Sequence, residues 1–323
     1  MRLGIVGCGL IGEKRALAAR GHQIVAVADL DLGKAERLGQ KVGAIATADW
    51  RNVVQLDLDA IVVATAHDAL SPIAVAALEA GRHVLVEKPA GRSLAEVQAV
   101  AAAAAASGRL AKVGFNHRFH PALLLAHTMH ESGWIGPILY IRGRYGHGGR
   151  PGYETEWRCD PAISGGGELV DQGSHLIDLA RWFMGELKLD YAHTPTLFWN
   201  AAVDDNCFLA LRGEGGALAW LHASWTEWKN TFSFEIAGRD GKLTIDGLGG
   251  SYGVERLTIH RMLPGMGPPE TTIHEYPFPD RSWDEEMQSF ALAVEGKGPL
   301  VGGIEDAVAM HVIIDQAYRR HMP

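Results

Sequence analysis

The sequence predicts an α/β protein with a parallel sheet in its first part and a larger, mostly antiparallel sheet in an α+β second part. Three observations carry this. Short runs rich in Val, Ile and Ala alternate with helical patterns as far as residue 120, as expected of strands buried on both faces. Beyond Pro121, strand-like runs follow one another through tight turns such as Gly213-Glu214-Gly215-Gly216 and Arg239-Asp240-Gly241, which pairs neighbours antiparallel. Finally, 323 residues at roughly 150 per domain give about two domains, placed at 1–120 and 121–323.

The elements follow in order. Residues 2–6, 24–28, 60–65, 83–86 and 110–115 read as strands. Between them, 11–20, 33–42 and 72–80 read as helices, the last closed by Gly81. Ser93 caps a further helix running to Ser107, with Glu96 completing a capping box. After a helix over 121–132 and a strand over 138–144, the Gly-rich stretch 146–167 carries Tyr153, Trp157 and Ile163, so it is expected to be an ordered loop. A helix over 168–184 follows. Strands are expected at 194–199, 206–212, 218–227, 232–237, 242–246, 256–260 and 271–276, and helices at 282–294 and 304–320. That last helix is free to pack back on the first domain.

Composition narrows the function. With 47% hydrophobic and 21% charged residues, the chain is an ordinary globular one. Its formal charge of −8, with no basic run, argues against a nucleic-acid partner. No apolar run approaches the roughly 20 residues of a membrane span. The start, Met1-Arg2-Leu3-Gly4-Ile5-Val6, reads as a strand rather than a signal peptide. Cys8, Cys159 and Cys207 are too few and too scattered for a disulfide framework or a zinc cage, so a reducing cytoplasm and no metal are expected.

Three segments point to chemistry. Gly7-Cys8-Gly9-Leu10-Ile11-Gly12 follows a strand and opens a helix, the context of a Rossmann dinucleotide-binding turn. There Gly7 makes the turn, Gly9 lets a pyrophosphate approach, and Gly12 lets helix and strand pack. Asp29 ends the second strand, 22 residues beyond Gly7. Its carboxylate suits the adenosine ribose hydroxyls and repels a 2′-phosphate, which favours NAD over NADP. The second segment, Glu87-Lys88-Pro89, closes a strand at the carboxyl edge where such sheets bind ligands. It either aims an ammonium at a substrate or is an ordinary surface turn. In the third, Gly165 to Asp178, Asp171 and His175 are spaced to share a helix face, with Gly173 leaving room for a close neighbour. His175 is then a general base or acid beside Asp171, a metal ligand with it, or a buried core histidine.

Taken together with Gly114-Phe115-Asn116-His117-Arg118-Phe119, these segments resemble the Gfo/Idh/MocA family of oxidoreductases over essentially the whole chain. The resemblance implies an N-terminal dinucleotide-binding domain and a C-terminal domain with an open-faced sheet that mediates homodimers or homotetramers. It makes Lys88, Asp171 and His175 the catalytic trio. It also places Thr65, Ala66, His67, Glu87 and Asn116 near the nicotinamide, beside Gly7, Gly9, Leu10, Ile11, Gly12 and Asp29 along the cofactor.

The implied reaction is hydride transfer between a secondary alcohol and NAD, with His175 taking the hydroxyl proton and Lys88 stabilising the alkoxide. Arg118, Tyr153, Trp157 and Arg158 join the trio as expected substrate contacts. Aromatic faces and polar groups together suit a sugar, cyclitol or sugar derivative. Arg150 and Arg158 either bind an anionic group or pair with Glu154 and Glu156. Three rivals remain: a redox-neutral NAD-dependent glycosidase or lyase, an NADP(H)-dependent keto-sugar reductase, and a non-catalytic NAD sensor.

Overall fold

A computed structural model describes residues 1–319, which fall into two compact units. The first comprises Met1–Phe115, Ala162–Gly165 and Trp283–His311; the second comprises Asn116–Pro161, Gly166–Ser282 and the chain from Val312 on. Arg320, the expected end of the last helix, lies outside the described residues.

The first unit alternates β1 (Arg2–Val6), α1 (Leu10–Ala18), β2 (Gln23–Ala28), α2 (Leu32–Val42), β3 (Ile45–Thr47), α3 (Trp50–Val54), β4 (Ala60–Val63), α4 (His67–Glu79), β5 (His83–Val86), α5 (Leu94–Ser107) and β6 (Ala111–Val113). Its six strands are parallel in the order β3-β2-β1-β4-β5-β6. The order reverses between β1 and β4, where such sheets open a crevice at their carboxyl ends. Caps fix the helices: Asp31 accepts from Lys34 N at the start of α2, and Gly43 ends it at φ 71°. Ser93 caps α5 as expected, but the Glu96 carboxylate turns to Arg92 N at 2.7 Å rather than completing the box.

Two expectations change here. The third helix starts at His67, not Pro72; Pro72 is carried inside it because Leu70, Ile73, Ala74, Ala77 and Leu78 bury its face. The elements β3 and α3 escaped the sequence reading because three- and five-residue segments carry too little periodicity.

The second unit begins with a 3₁₀ turn over Asn116–Phe119, then α6 (Pro121–Glu131) and β7 (Ile138–Gly146). The Gly-rich stretch is ordered by 3₁₀ turns at Tyr153–Thr155 and Trp157–Cys159 and by α7 (Pro161–Ser164). A π-helical segment, Leu169–Gly173, leads into α8 (Ser174–Met184). Then come β8 (Leu187–His193), β9 (Asn206–Gly213), β10 (Leu218–Ser224), β11 (Thr231–Gly238), β12 (Gly241–Asp246), β13 (Glu255–Arg261) and β14 (Glu270–Tyr276). They form an eight-stranded sheet, β14-β13-β12-β11-β7-β10-β9-β8, antiparallel except where β7 meets β10. Its core side packs on α8: a Cβ at Gly143 would sit 3.0–3.1 Å from Leu221, Leu176 and Phe234.

The strand expected at 194–199 does not form. Asp205 accepts from the backbone N–H groups of Leu197, Phe198 and Trp199 at 2.8–2.9 Å, so those donors face a carboxylate and not a neighbouring strand. The strand lies earlier, at β8, where a bulge after Leu189 breaks the alternation.

The chain closes with α9 (Ser282–Val294) and α10 (Ile304–Arg319). Met287 and Phe290 of α9 join Leu3, Ile5, Val27 and Leu85 in the core of the first unit.

Candidate active site

In the first unit, β1 runs into a turn whose Gly7 has φ +95° and whose Cβ would lie 2.3 Å from Ala64 O. A Cβ on Gly12 would lie closer still, 1.8 Å from Gly7 O, whereas one on Gly9 would meet no atom within 4 Å. The face that Gly9 leaves bare is therefore open, beside the N-terminus of α1, which carries no side-chain cap. Such a terminus offers N–H groups and a dipole to an anion. Asp29 stands half-buried beside it. One carboxylate oxygen accepts from Cys8 N at 2.8 Å and the other from Asp31 N at 2.9 Å. Each keeps a lone pair for a ribose hydroxyl. Leu30 next to it is 91% exposed and offers nothing to a 2′-phosphate. Among these residues, the bare glycine face, the uncapped helix and the pre-set carboxylate fit NAD. Cys8 takes no acidic role: burial first, then the Asp29 charge, pushes its thiol up to about 12.

The other first-unit residues diverge. His67 is 5% exposed and its Nδ1 is 2.8 Å from Ser164 O, a strut rather than an open imidazole. Thr65 Oγ1 donates to Ala66 O just before α4. The Glu87 carboxylate turns inward to Arg15 Nε at 2.5 Å. Its pKa is raised, since burial outweighs the Arg15 charge. Lys88 follows, half-buried, on a cis bond to Pro89.

In the second unit, Asp171 lies on the π segment and His175 in the first turn of α8. The expected i,i+4 face assumed an unbroken α-helix, and the wider π turn changes that spacing. Asp204 sets the segment in place, accepting from Gly167 N at 3.0 Å, Leu169 N at 2.8 Å and the Tyr318 hydroxyl at 2.8 Å. Gly173 does meet a close neighbour: its Cβ would lie 3.1 Å from Cys207 Sγ. Arg158 Nε lies 3.3 Å from Asp171 Oδ2, with its guanidinium 4.6 Å from the Trp157 ring. Burial opposes the Arg158 charge, but Asp171, Tyr153 and Glu156 prevail and raise its pKa. Arg150 pairs with Glu156 at 2.6 Å, as the surface-pair reading expected. Tyr153 is buried in a small core with Trp225, Cys159 and Val203, its ring edge-on to His147. Burial lowers the His147 pKa, aided by Arg158 and Arg150 against Asp171.

His175 is 5% exposed and stacks on His117 with ring centroids 3.8 Å apart and planes at 21°. His117 was not singled out from the sequence, although its motif was. Asn116 explains the ring's orientation: its Nδ2 donates to Ser282 Oγ at 3.0 Å, leaving Oδ1 to accept from His117 Nδ1 at 3.2 Å. The expected substrate contact at Arg118 is revised. Its fork makes a bidentate bond to Asp178 at 2.6 and 2.9 Å with both side chains buried, so it braces α8. Among the described residues, no group of three His, Cys, Asp or Glu side chains is placed to hold a metal, and no helix is long and apolar enough to cross a membrane.

Residues 1–115 match the family model for an oxidoreductase family with an NAD-binding Rossmann fold, and residues 123–244 match the GFO/IDH/MocA C-terminal domain. Levoglucosan dehydrogenase of Pseudarthrobacter phenanthrenivorans is 28% identical over 289 residues, 76% of this chain and 73% of its own. Inositol 2-dehydrogenase 2 of Saccharopolyspora erythraea is 33% identical over 228 residues, 68% and 65% of the two chains. A solved levoglucosan dehydrogenase in complex with NADH and L-sorbose superposes with TM-score 0.89 at 25% identity, covering 99% of this chain and 97% of that one. With both halves matched in order by models of one family, the chain belongs to the Gfo/Idh/MocA oxidoreductases and uses NAD.

Proposed function

We propose that this protein is an NAD-dependent dehydrogenase acting on a secondary alcohol of a sugar or cyclitol, with Lys88, Asp171 and His175 as its catalytic groups. The observation that carries the cofactor half is the Gly7–Gly12 turn with Asp29 already bound to Cys8 N. The substrate half draws on relatives that act on inositol and levoglucosan and on the Asp171–Arg158–Trp157 array, which joins charge to an aromatic face.

Bound NAD supplies the hydride acceptor. The chain must then take one proton from the hydroxyl oxygen. His175 accepts it, an imidazole being suited to proton transfer near neutral pH. Lys88 donates a hydrogen bond to the same oxygen and stabilises its developing charge. Asp171, held by Arg158, accepts from a neighbouring hydroxyl and orients the ring. Trp157 offers a face for the C–H side of that ring, Tyr153 supports the Gly-rich loop from its small core, and Arg118 keeps α8 in place.

Mixing the protein and NAD with levoglucosan, myo-inositol, aldoses, uronates and nucleotide sugars should yield NADH with at least one class. Consumption of a glycoside without NADH would replace this reading by the redox-neutral one. Tighter binding of NADPH than NADH would replace it by the reductase.

Two further readings accompany it. The three cysteines are free and buried, which suits a reducing cytoplasm. The second unit's sheet leaves Tyr140, Tyr191, Leu218 and Trp220 exposed, a surface suited to a homo-oligomer; sedimentation velocity showing only monomer would remove it.

A further inference from the structure

The Glu87-Lys88-Pro89 turn is gripped on both sides by buried side chains with no part in the proton transfer, and we propose that Arg15 and His311 are positioning residues for Lys88. The proposal rests on the reading of Lys88 as a catalytic group.

Ahead of Lys88, the Glu87 carboxylate is held by Arg15 Nε at 2.5 Å, while Arg15 Nη1 reaches Glu286 Oε2 of α9 at 2.6 Å. Lys112 Nζ closes the cluster, 3.1 Å from Glu286 Oε1. Two cations and two carboxylates thus balance, with side chains at most 10% exposed. Buried charges persist only when paired in this way. Trp283 covers the Arg15 guanidinium at 4.5 Å. Gly114 makes room: a Cβ there would lie 2.7 Å from Arg15 Nη2 and 2.8 Å from Glu87 Oε2.

Beyond Lys88, His311 of α10, 1% exposed, donates from Nε2 to Pro89 O at 3.0 Å. The backbone is tied as well, Glu87 N to Val63 O and Ala90 N to Glu87 O, both at 2.9 Å. The residues on either side of Lys88 are therefore fixed while its own side chain stays half-buried. Arg15 stands on α1 just past Gly12, so one short helix carries both the dinucleotide turn and the grip on Glu87. A lysine hung from an anchored turn starts each turnover from one geometry, and misplacement of a reacting group by about 1 Å costs on the order of 100-fold in rate.

The test uses the full chain. The double variant R15M/E87Q removes the tie but leaves Lys112 and Glu286 balanced. H311L removes the other grip, and H311Q restores a donor. Hydrogen exchange of residues 86–91 is followed by mass spectrometry, NAD affinity by fluorescence, and kcat, KM and the primary deuterium isotope effect with myo-inositol or levoglucosan. Expected are faster exchange at 86–91, kcat lowered on the order of 100-fold with a larger isotope effect, unchanged NAD affinity in H311L, and recovery in H311Q. If R15M/E87Q fails to fold, the H311L and H311Q pair decides. Unchanged exchange at 86–91, or full kcat despite faster exchange, overturns the proposal. Full turnover in K88M is a separate result that removes the reading beneath it.

Discussion

At His175, a ring confined against His117 at 3.8 Å has few alternatives to the pose it holds. H175Q keeps a similar volume and removes the proton acceptor. Steady-state assays should show kcat lowered about 100- to 10,000-fold, the usual worth of a positioned acid or base, with NAD affinity unchanged by titration. Wild-type turnover would remove His175 from the reaction. Residues of this kind differ in how far a sequence discloses them. Gly7, Gly12 and Asp29 are legible because strand, turn and helix are contiguous and the physics is local. Arg15 is not, since its partners Glu87 and Glu286 stand 72 and 271 positions away. His311 escapes for the same reason. His117 lies inside a legible motif, but a ring stack onto a residue 58 positions away leaves no trace in spacing.

Among the elements, the π segment before α8 depends most on one side chain. Asp204 accepts three hydrogen bonds there, two from the backbone N–H groups of Gly167 and Leu169. D204A would leave the buried Leu169 N–H without that acceptor, at about 1–3 kcal/mol, and Gly167 N–H with only the Tyr318 hydroxyl at 3.2 Å. Thermal unfolding should show a loss of about 1–3 kcal/mol, and activity should fall with it because Asp171 lies on the loosened turn. A Tm within a degree or so of wild type would contradict this role. Elements with long, even patterns, such as β10 through β12 and α9, could be drawn from the sequence. The 194–199 segment could not. Its composition suits a strand, and a carboxylate six to eight residues on, Asp205, turns its donors aside without leaving a mark in the periodicity.

For the whole molecule, acid sensitivity follows from its histidines. Burial lowers the pKa values of His22, His83, His127, His147 and His222 below the ordinary 6.5. The unfolded chain therefore binds more protons than the folded one as pH falls below 6.5, so stability rises with pH across that window. Their stabilising contribution is intact above 6.5 and disappears as pH drops through the lowered values. Calorimetry at pH 7.5 and 5.5 should give a lower Tm at the acid value, and H222Q or H147Q should flatten the slope. An equal Tm at both would refute this account. Asp29 carries a different consequence. The same carboxylate that would greet the adenosine sugar also fastens the first glycine turn through Cys8 N. Redesign toward the phosphorylated coenzyme at this one position would unbutton the loop meant to receive it, so a change of coenzyme calls for a second mutation to re-tie the backbone.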